Sequence, residues 1–356
     1  MKTYSRGDEG LAFMLQYENV AWYEDGAVRI LDRRIYPIET RFVVCHSHQE
    51  VAQAIADMVT QSAGPYSAAA MGMVLAAHEA RDRADLPEYL RQAGHTLSHA
   101  RPTTVARMEA ITNACLDCAA RALAEGSSPE QAIFDYAVGL LEHRYTRLSK
   151  TAVHLVDQFP KSGTVMTQCF AETIVGTMLR EARERGYDIK LLCPETRPYL
   201  QGARLTASVA CDMGFDTTVI SDNMPGIAIK AKGVSLFTSA ADAICMDGHI
   251  VNKVGTFQIA LCADYHGIPY FVTGAPDKKH TTVDSVHIEE RDGNLVMDAL
   301  GTRTTMEGVK GWYPSFDITP PKLVSGVVTD KGIFSAYDLH SYYKDDDAGL
   351  YGTANA

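Results

Sequence analysis

No apolar run in this 356-residue chain approaches the ~20 residues that a membrane-spanning helix requires. The start, MKTYSRGDEGLAFML, lacks the apolar core and cleavage site of a secretory leader. The eight cysteines (Cys45, Cys115, Cys118, Cys169, Cys193, Cys211, Cys245 and Cys262) are scattered and form no disulfide framework. These absences point to a cytoplasmic protein with reduced thiols. Positive charge is also scarce: 33 Lys and Arg against 44 Asp and Glu leave a formal charge of −11. That balance argues against nucleic-acid binding, which phosphate neutralisation drives. It still admits a small anion, which needs only a few local cations and a helix N-terminus. There is no G-x-G-x-x-G after the first strand of the second half and no Walker lysine, so no nucleotide cofactor is indicated. A metal site is not indicated either. Cys115-x-x-Cys118 lies in a helical pattern without a second pair, and His46-Ser47-His48 has no third ligand nearby.

What is present is an ordinary globular composition, 46% apolar and 22% charged, in a length that suits two domains. VRILDRRIYPIETRFVVCHSH alternates like strands, and helical patterns then fill the chain up to Lys150. From about Thr151 the texture changes. TVMTQC, DIKLLCPE, DTTVIS, VSLFTSA and PYFVTG are short apolar runs separated by helical segments. Strands alternating with helices imply parallel βαβ units. The fold class expected is α/β: a Rossmann-like, doubly wound parallel sheet preceded by a smaller, mainly helical N-terminal domain with a short β region. The boundaries read as 1–150, 151–345 and a flexible tail at 346–356.

In such a sheet, ligands bind at the carboxyl ends of the strands. Cys169 stands where the first strand gives way to a helix, a place that can lower a thiol's pKa. Its plain alternative is a small buried hydrophobe. Asp242 follows the fourth strand and three small residues, so a crowded, half-buried carboxylate with a raised pKa is expected. Asn252-Lys253 is read as opening the next helix, a ready anion cradle. Taken singly, Asp242 is more readily read as capping a turn and Asn252 as an ordinary N-cap. Together with Cys169 they make a catalytic constellation.

ETRPYLQGARLTA, ISDNM, NKVGTFQIALCADYHGIPYFV, IEERD and GWYPSFDITPPKLVSGVVTDKG resemble the methylthioribose-1-phosphate isomerases and their relatives. Those relatives are ribose-1,5-bisphosphate isomerase and the regulatory subunits of eukaryotic initiation factor 2B. The resemblance runs from Val28 to Phe334. It implies an aldose–ketose isomerase of a 5-substituted ribose 1-phosphate (methylthioribose or 5-deoxyribose type), with Cys169 and Asp242 as the catalytic pair. Asp242 would be the acid that opens the ring and Cys169, as thiolate, the base at C2, with a hydride shift as the other route. It further implies substrate contacts at Arg101, Gln201, Asn252 and Lys253, a homodimer, a phosphorylated sugar as partner, and no cofactor. A non-catalytic sugar-phosphate or nucleotide sensor of the initiation factor 2B type is the rival. Two features depart from the isomerase pattern. The phosphate loop RGAPAIG aligns with Gln61, Ser62 and Ala63 and has lost its arginine, and Ala243 follows Asp242 where the family has Arg. Lys278 and Lys279 offer replacement cations.

Overall fold

The computed structural model describes residues 5–101, 105–299 and 301–344, and the tail expected at 346–356 lies outside them. Among the described residues no helix is long and apolar enough to cross a membrane. The chain divides into two compact units, with the break between Thr146 and Arg147.

The first unit begins with the short helix α1 (Tyr17–Val20) and an antiparallel sheet of β1 (Ala21–Glu24), β2 (Ala27–Leu31) and β3 (Phe42–Cys45). Helices follow: α2 (His48–Ala56), α3 (Gly64–Glu79), α4 (Leu86–Ser98), α5 (Val105–Ala124) and α6 (Pro129–Val156), the last running past the unit boundary. Nearly every residue of α3 is apolar and buried, so it is the helix around which the others pack. Ser47 caps α2 through the Glu50 amide at 3.2 Å, and His48 is buried against Glu79, with Nδ1 2.7 Å from Oε2. Cys115 and Cys118 are core residues.

The second unit alternates β4 (Ser162–Met166), α7 (Thr173–Glu184), β5 (Asp188–Pro194), α8 (Ala207–Asp212), β6 (Thr217–Ile220), α9 (Pro225–Ala231) and β7 (Val234–Ala240). The short β8 (Ala243–Ile244) and β9 (Ile250–Lys253) come next, then α10 (Thr256–His266) and β10 (Tyr270–Thr273). A segment of two-residue strands follows, in which β11 (Glu290–Arg291) pairs with β14 (Tyr313–Pro314) and β12 (Asp298–Ala299) with β13 (Thr302–Arg303). The chain then forms β15 (Phe316–Thr319), which pairs with β9, and finally β16 (Gly326–Thr329) and β17 (Gly332–Phe334).

The main sheet has the order β17-β16-β10-β7-β4-β5-β6. All of its pairings are parallel except β16 with β17. Counted along the chain, the six parallel strands follow the doubly wound order 3-2-1-4-5-6. Strand order therefore reverses between β4 and β7, and in this architecture that crevice is where ligands bind. Met166, Phe237, Val272 and Val327, all fully buried on the central strands, form the core beneath it. The core is apolar because parallel strands are covered on both faces.

Candidate active site

The reversal point puts two nominated residues side by side, since Cys169 follows β4 and Asp242 follows β7. Cys169 is held in a conformation that costs energy. Its φ is +58°, and Glu172 (+56°) and Thr196 (+64°) share the left-handed region that non-glycine residues avoid. The surroundings fix it there. The Cys169 amide donates to Thr196 Oγ1 at 3.2 Å, and Thr206 Oγ1 donates to the Cys169 carbonyl. Thr196 is secured in turn, because its amide and that of Arg197 donate to the Asp222 carboxylate at 2.8 and 2.6 Å. Thr206 closes a turn of π-helix, Gly202–Thr206, that leads into α8. A side chain on Gly202 would strike the Pro194 carbonyl at 1.8 Å, so the turn lies against β5 only because position 202 is glycine. Gln201, buried at the entry to this turn, belongs to the same loop.

The electrostatics of Cys169 differ from the expectation. Helix α7 starts at Thr173, three residues beyond Phe170, and a dipole's influence fades within one turn. Burial pushes the thiol up to about 11, nearby Asp242 adds to the rise, and Lys253 pulls the other way. The cysteine is therefore a thiol at neutral pH and not the thiolate that the sequence suggested. Asp242 also departs from expectation: it is exposed rather than half-buried, and its charge still acts on Cys169 and Lys253. Its amide donates to the Val251 carbonyl at 2.9 Å, where the chain turns into β8.

Asn252 and Lys253 do not open a helix. Both are buried at the end of β9, and α10 begins beyond Gly255, whose φ of +104° makes the corner. The helix N-terminus is already occupied. Asp317 accepts from the Gly255 amide at 2.6 Å and from the Phe257 amide at 3.2 Å. It thus fills the place read as an anion cradle. Burial raises the Asp317 carboxyl to about 6 despite those bonds. The Lys253 ammonium stacks 4.8 Å from the centre of the Phe316 ring. Burial lowers its pKa, and the charges of Cys169 and Asp242 partly oppose that fall. Asn252 Nδ2 donates to Thr256 Oγ1 at 3.0 Å, which fixes β9 to the first turn of α10.

Other residues of the second unit bear on this site, among them Arg291, Tyr199 and Tyr313, which the sequence reading did not nominate. Gln168 donates to the Val254 carbonyl at 3.2 Å and lines a cavity of about 10 Å³ with Cys169, Thr238 and Thr273. That is room for a single water at most. Arg291 is paired with Glu289 at 3.2 Å and packs over the Tyr199 ring at 5.5 Å. Tyr199 and Tyr313 meet with ring centroids 6.1 Å apart. Lys278 and Lys279 are exposed in the loop after β10, and the Lys278 ammonium sits 3.9 Å from the Tyr343 ring centre.

The remaining nominated residues belong to the first unit. Gln61, Ser62 and Ala63 form the turn before α3, with Ser62 at a φ of +59°. Arg101 is partly buried, a little beyond the end of α4. Position 61 lacks an arginine, yet a guanidinium is present: fully buried Arg33 donates to the Gln61 carbonyl at 2.8 Å. No periodicity marks Arg33, because it lies in the irregular stretch between β2 and β3.

Comparison with known proteins identifies the family. The sequence pattern of the Initiation factor 2 subunit family matches residues 61–336. A methylthioribose-1-phosphate isomerase of Petrotoga mobilis is 34% identical over 325 residues, covering 85% of this chain and 91% of its own. The crystal structure of the 5-methylthioribose 1-phosphate isomerase from Pyrococcus horikoshii superposes with a TM-score of 0.78 at 26% identity, over 93% of this chain and 98% of that one. A translation initiation factor eIF-2B subunit delta from A. fulgidus gives 0.77 at 28% identity, over 89% and 96%. The chain belongs to the initiation factor 2 subunit family, and within it to the methylthioribose-1-phosphate isomerase group.

Proposed function

We propose that the protein is an aldose–ketose isomerase that converts a 5-substituted ribose 1-phosphate, of the methylthioribose or 5-deoxyribose type, into the ribulose 1-phosphate. The observation that carries this reading is the pairing of Cys169 and Asp242 at the strand-order reversal, with buried Lys253 close enough for both charges to act on it. A regulatory sensor has no need of a strained cysteine beside a carboxylate and a desolvated ammonium.

In an aldose 1-phosphate the phosphate blocks the anomeric oxygen, so the ring cannot open as a free hemiacetal. Ring opening then requires a proton delivered to the ring oxygen and a proton taken from C2. The roles we assign reverse those inferred from sequence, because burial favours the protonated Cys169 thiol and Asp242 is exposed. Cys169 gives its proton to the ring oxygen as the C1–O bond breaks. Asp242 takes the proton from C2, and the C1–C2 double bond of an enol phosphate forms. Lys253 stabilises the thiolate left behind, an ion pair strengthened by its dry surroundings. Asp242 then returns its proton to C1, Cys169 recovers one from the C2 hydroxyl, and the 2-ketose 1-phosphate leaves. Both groups end as they began.

Gln201, Asn252 and Lys253 are the substrate contacts we assign in the second unit. Arg101 and the Gln61–Ala63 turn keep their assignment through the resemblance alone. The match to the archaeal eIF-2B delta subunit supports the second reading, a sensor that binds a sugar phosphate or nucleotide without turnover. Purified protein incubated with a panel of pentose 1-phosphates and followed by phosphorus NMR separates the two. Conversion of one to a ketose 1-phosphate supports the isomerase. Tight binding of one without turnover of any supports the sensor.

A further inference from the structure

Tyr313 is 2% exposed at the start of β14, and its hydroxyl has no hydrogen-bond partner among the described residues. A buried phenol left without a partner carries the desolvation cost of its O–H with nothing in return, and folded proteins rarely accept that. Burial also raises its pKa, so the group is a neutral phenol with a proton to donate. Its surroundings are those of the site. The Lys253 ammonium lies 5.9 Å from its ring centre, the Tyr199 ring is at 6.1 Å, and the charges of Cys169 and Arg291 act on it. Gln168, bonded through its Nε2 to the Val254 carbonyl, adds a second orphan, since its buried Oε1 has no donor among the described residues. An unused buried donor and an unused buried acceptor in one site form a set that a hydroxyl-bearing ligand satisfies, because each hydroxyl both donates and accepts. Lys253 lies over the Tyr313 ring, and Arg291 is paired with Tyr313 across β11 and β14.

We propose that Tyr313 is a specificity-determining residue, its hydroxyl donating to a sugar oxygen of the substrate beside Lys253 and Cys169. This rests on the isomerase reading above. It explains why the site would take a phosphorylated polyol and refuse an analogue lacking the matching hydroxyl, since a site built around a hydrogen bond pays the full desolvation cost when the partner is missing.

The test is Tyr313→Phe, assayed for turnover of methylthioribose 1-phosphate and for melting temperature with and without it. The variant should melt at the wild-type temperature or above when ligand-free, because no protein bond is lost. It should show a roughly tenfold higher KM, with kcat within about threefold, the signature of a lost ground-state contact. The melting shift induced by the sugar phosphate should shrink, and that induced by inorganic phosphate should not. An unchanged KM in an active variant overturns the proposal and leaves the isomerase reading standing. A drop of several degrees in the ligand-free melting temperature also overturns it, by revealing a structural bond. If the wild type neither converts nor is stabilised by any pentose 1-phosphate, the isomerase reading fails and this proposal fails with it.

Discussion

Alkylation of Cys169 measures the protonation state on which the proposed proton relay depends. An ordinary cysteine with a pKa near 8.5 is about 3% thiolate at pH 7. Cys169, pushed up to about 11, is ~10⁻⁴ thiolate at the same pH, roughly 300-fold less. A more basic thiolate is intrinsically more nucleophilic, and a Brønsted coefficient of ~0.4–0.5 recovers about 10- to 20-fold. The net expectation is iodoacetamide modification some 15- to 30-fold slower than that of an ordinary exposed thiol. The chain supplies a reference in Cys211, which is exposed on α8. Peptide mapping by mass spectrometry across pH 6–11 should show Cys211 labelled first. The Cys169 rate should still be climbing at pH 10, and bound substrate should suppress it. Lys253→Met removes the charge that lowers the Cys169 pKa, so the rate at any given pH should fall further. Labelling of Cys169 at neutral pH as fast as Cys211, levelling off below pH 8, would refute the reasoning. It would restore the thiolate as the resting form and Asp242 as the acid.

Two further outcomes follow from the same geometry. In heavy water, a proton carried from C2 to C1 by exposed Asp242 exchanges with solvent, so the ketose product should carry deuterium at C1; a direct hydride shift leaves none. Asp317 sits near pH 6 in the folded protein against 3.8 for the free side chain. The native state therefore binds that proton more tightly, and the stabilisation is full below about pH 4 and lost as pH rises through 6. The difference of ~2 units corresponds to about 3 kcal/mol at most. Denaturant titrations of wild type and Asp317→Asn should diverge over this window, and parallel curves would show that the carboxyl is not held protonated.

Much of the second unit was legible in the sequence because parallel strands, covered on both faces, announce themselves as short apolar runs between helices. DIKLLCPE and VSLFTSA became β5 and β7, and TVMTQC placed Cys169 just beyond β4, whereas the strand order and its reversal point came only from the fold. The errors came from partners distant in sequence. Asn252-Lys253 read as a helix start because Asp317, which caps α10, lies more than sixty residues further on in the chain. Asp242 read as crowded because three small residues precede it, and nothing local revealed that the folded chain leaves it exposed. Tyr313 and Arg291 went unnoticed because two-residue strands are too short to show a period of two. Arg33 had no visible role until the fold placed it beneath the Gln61 carbonyl. The thiol's pKa was misjudged for a physical reason: proximity to a helix can be read from sequence, but desolvation cannot.

The most direct test of the central claim is turnover of the preferred pentose 1-phosphate by wild type, Cys169→Ser and Asp242→Asn, followed side by side by phosphorus NMR. The account predicts that each variant keeps the fold and binds the sugar phosphate but loses at least ~2–4 kcal/mol of transition-state stabilisation, some 30- to 1,000-fold in kcat/KM. Near wild-type turnover by both variants would contradict it.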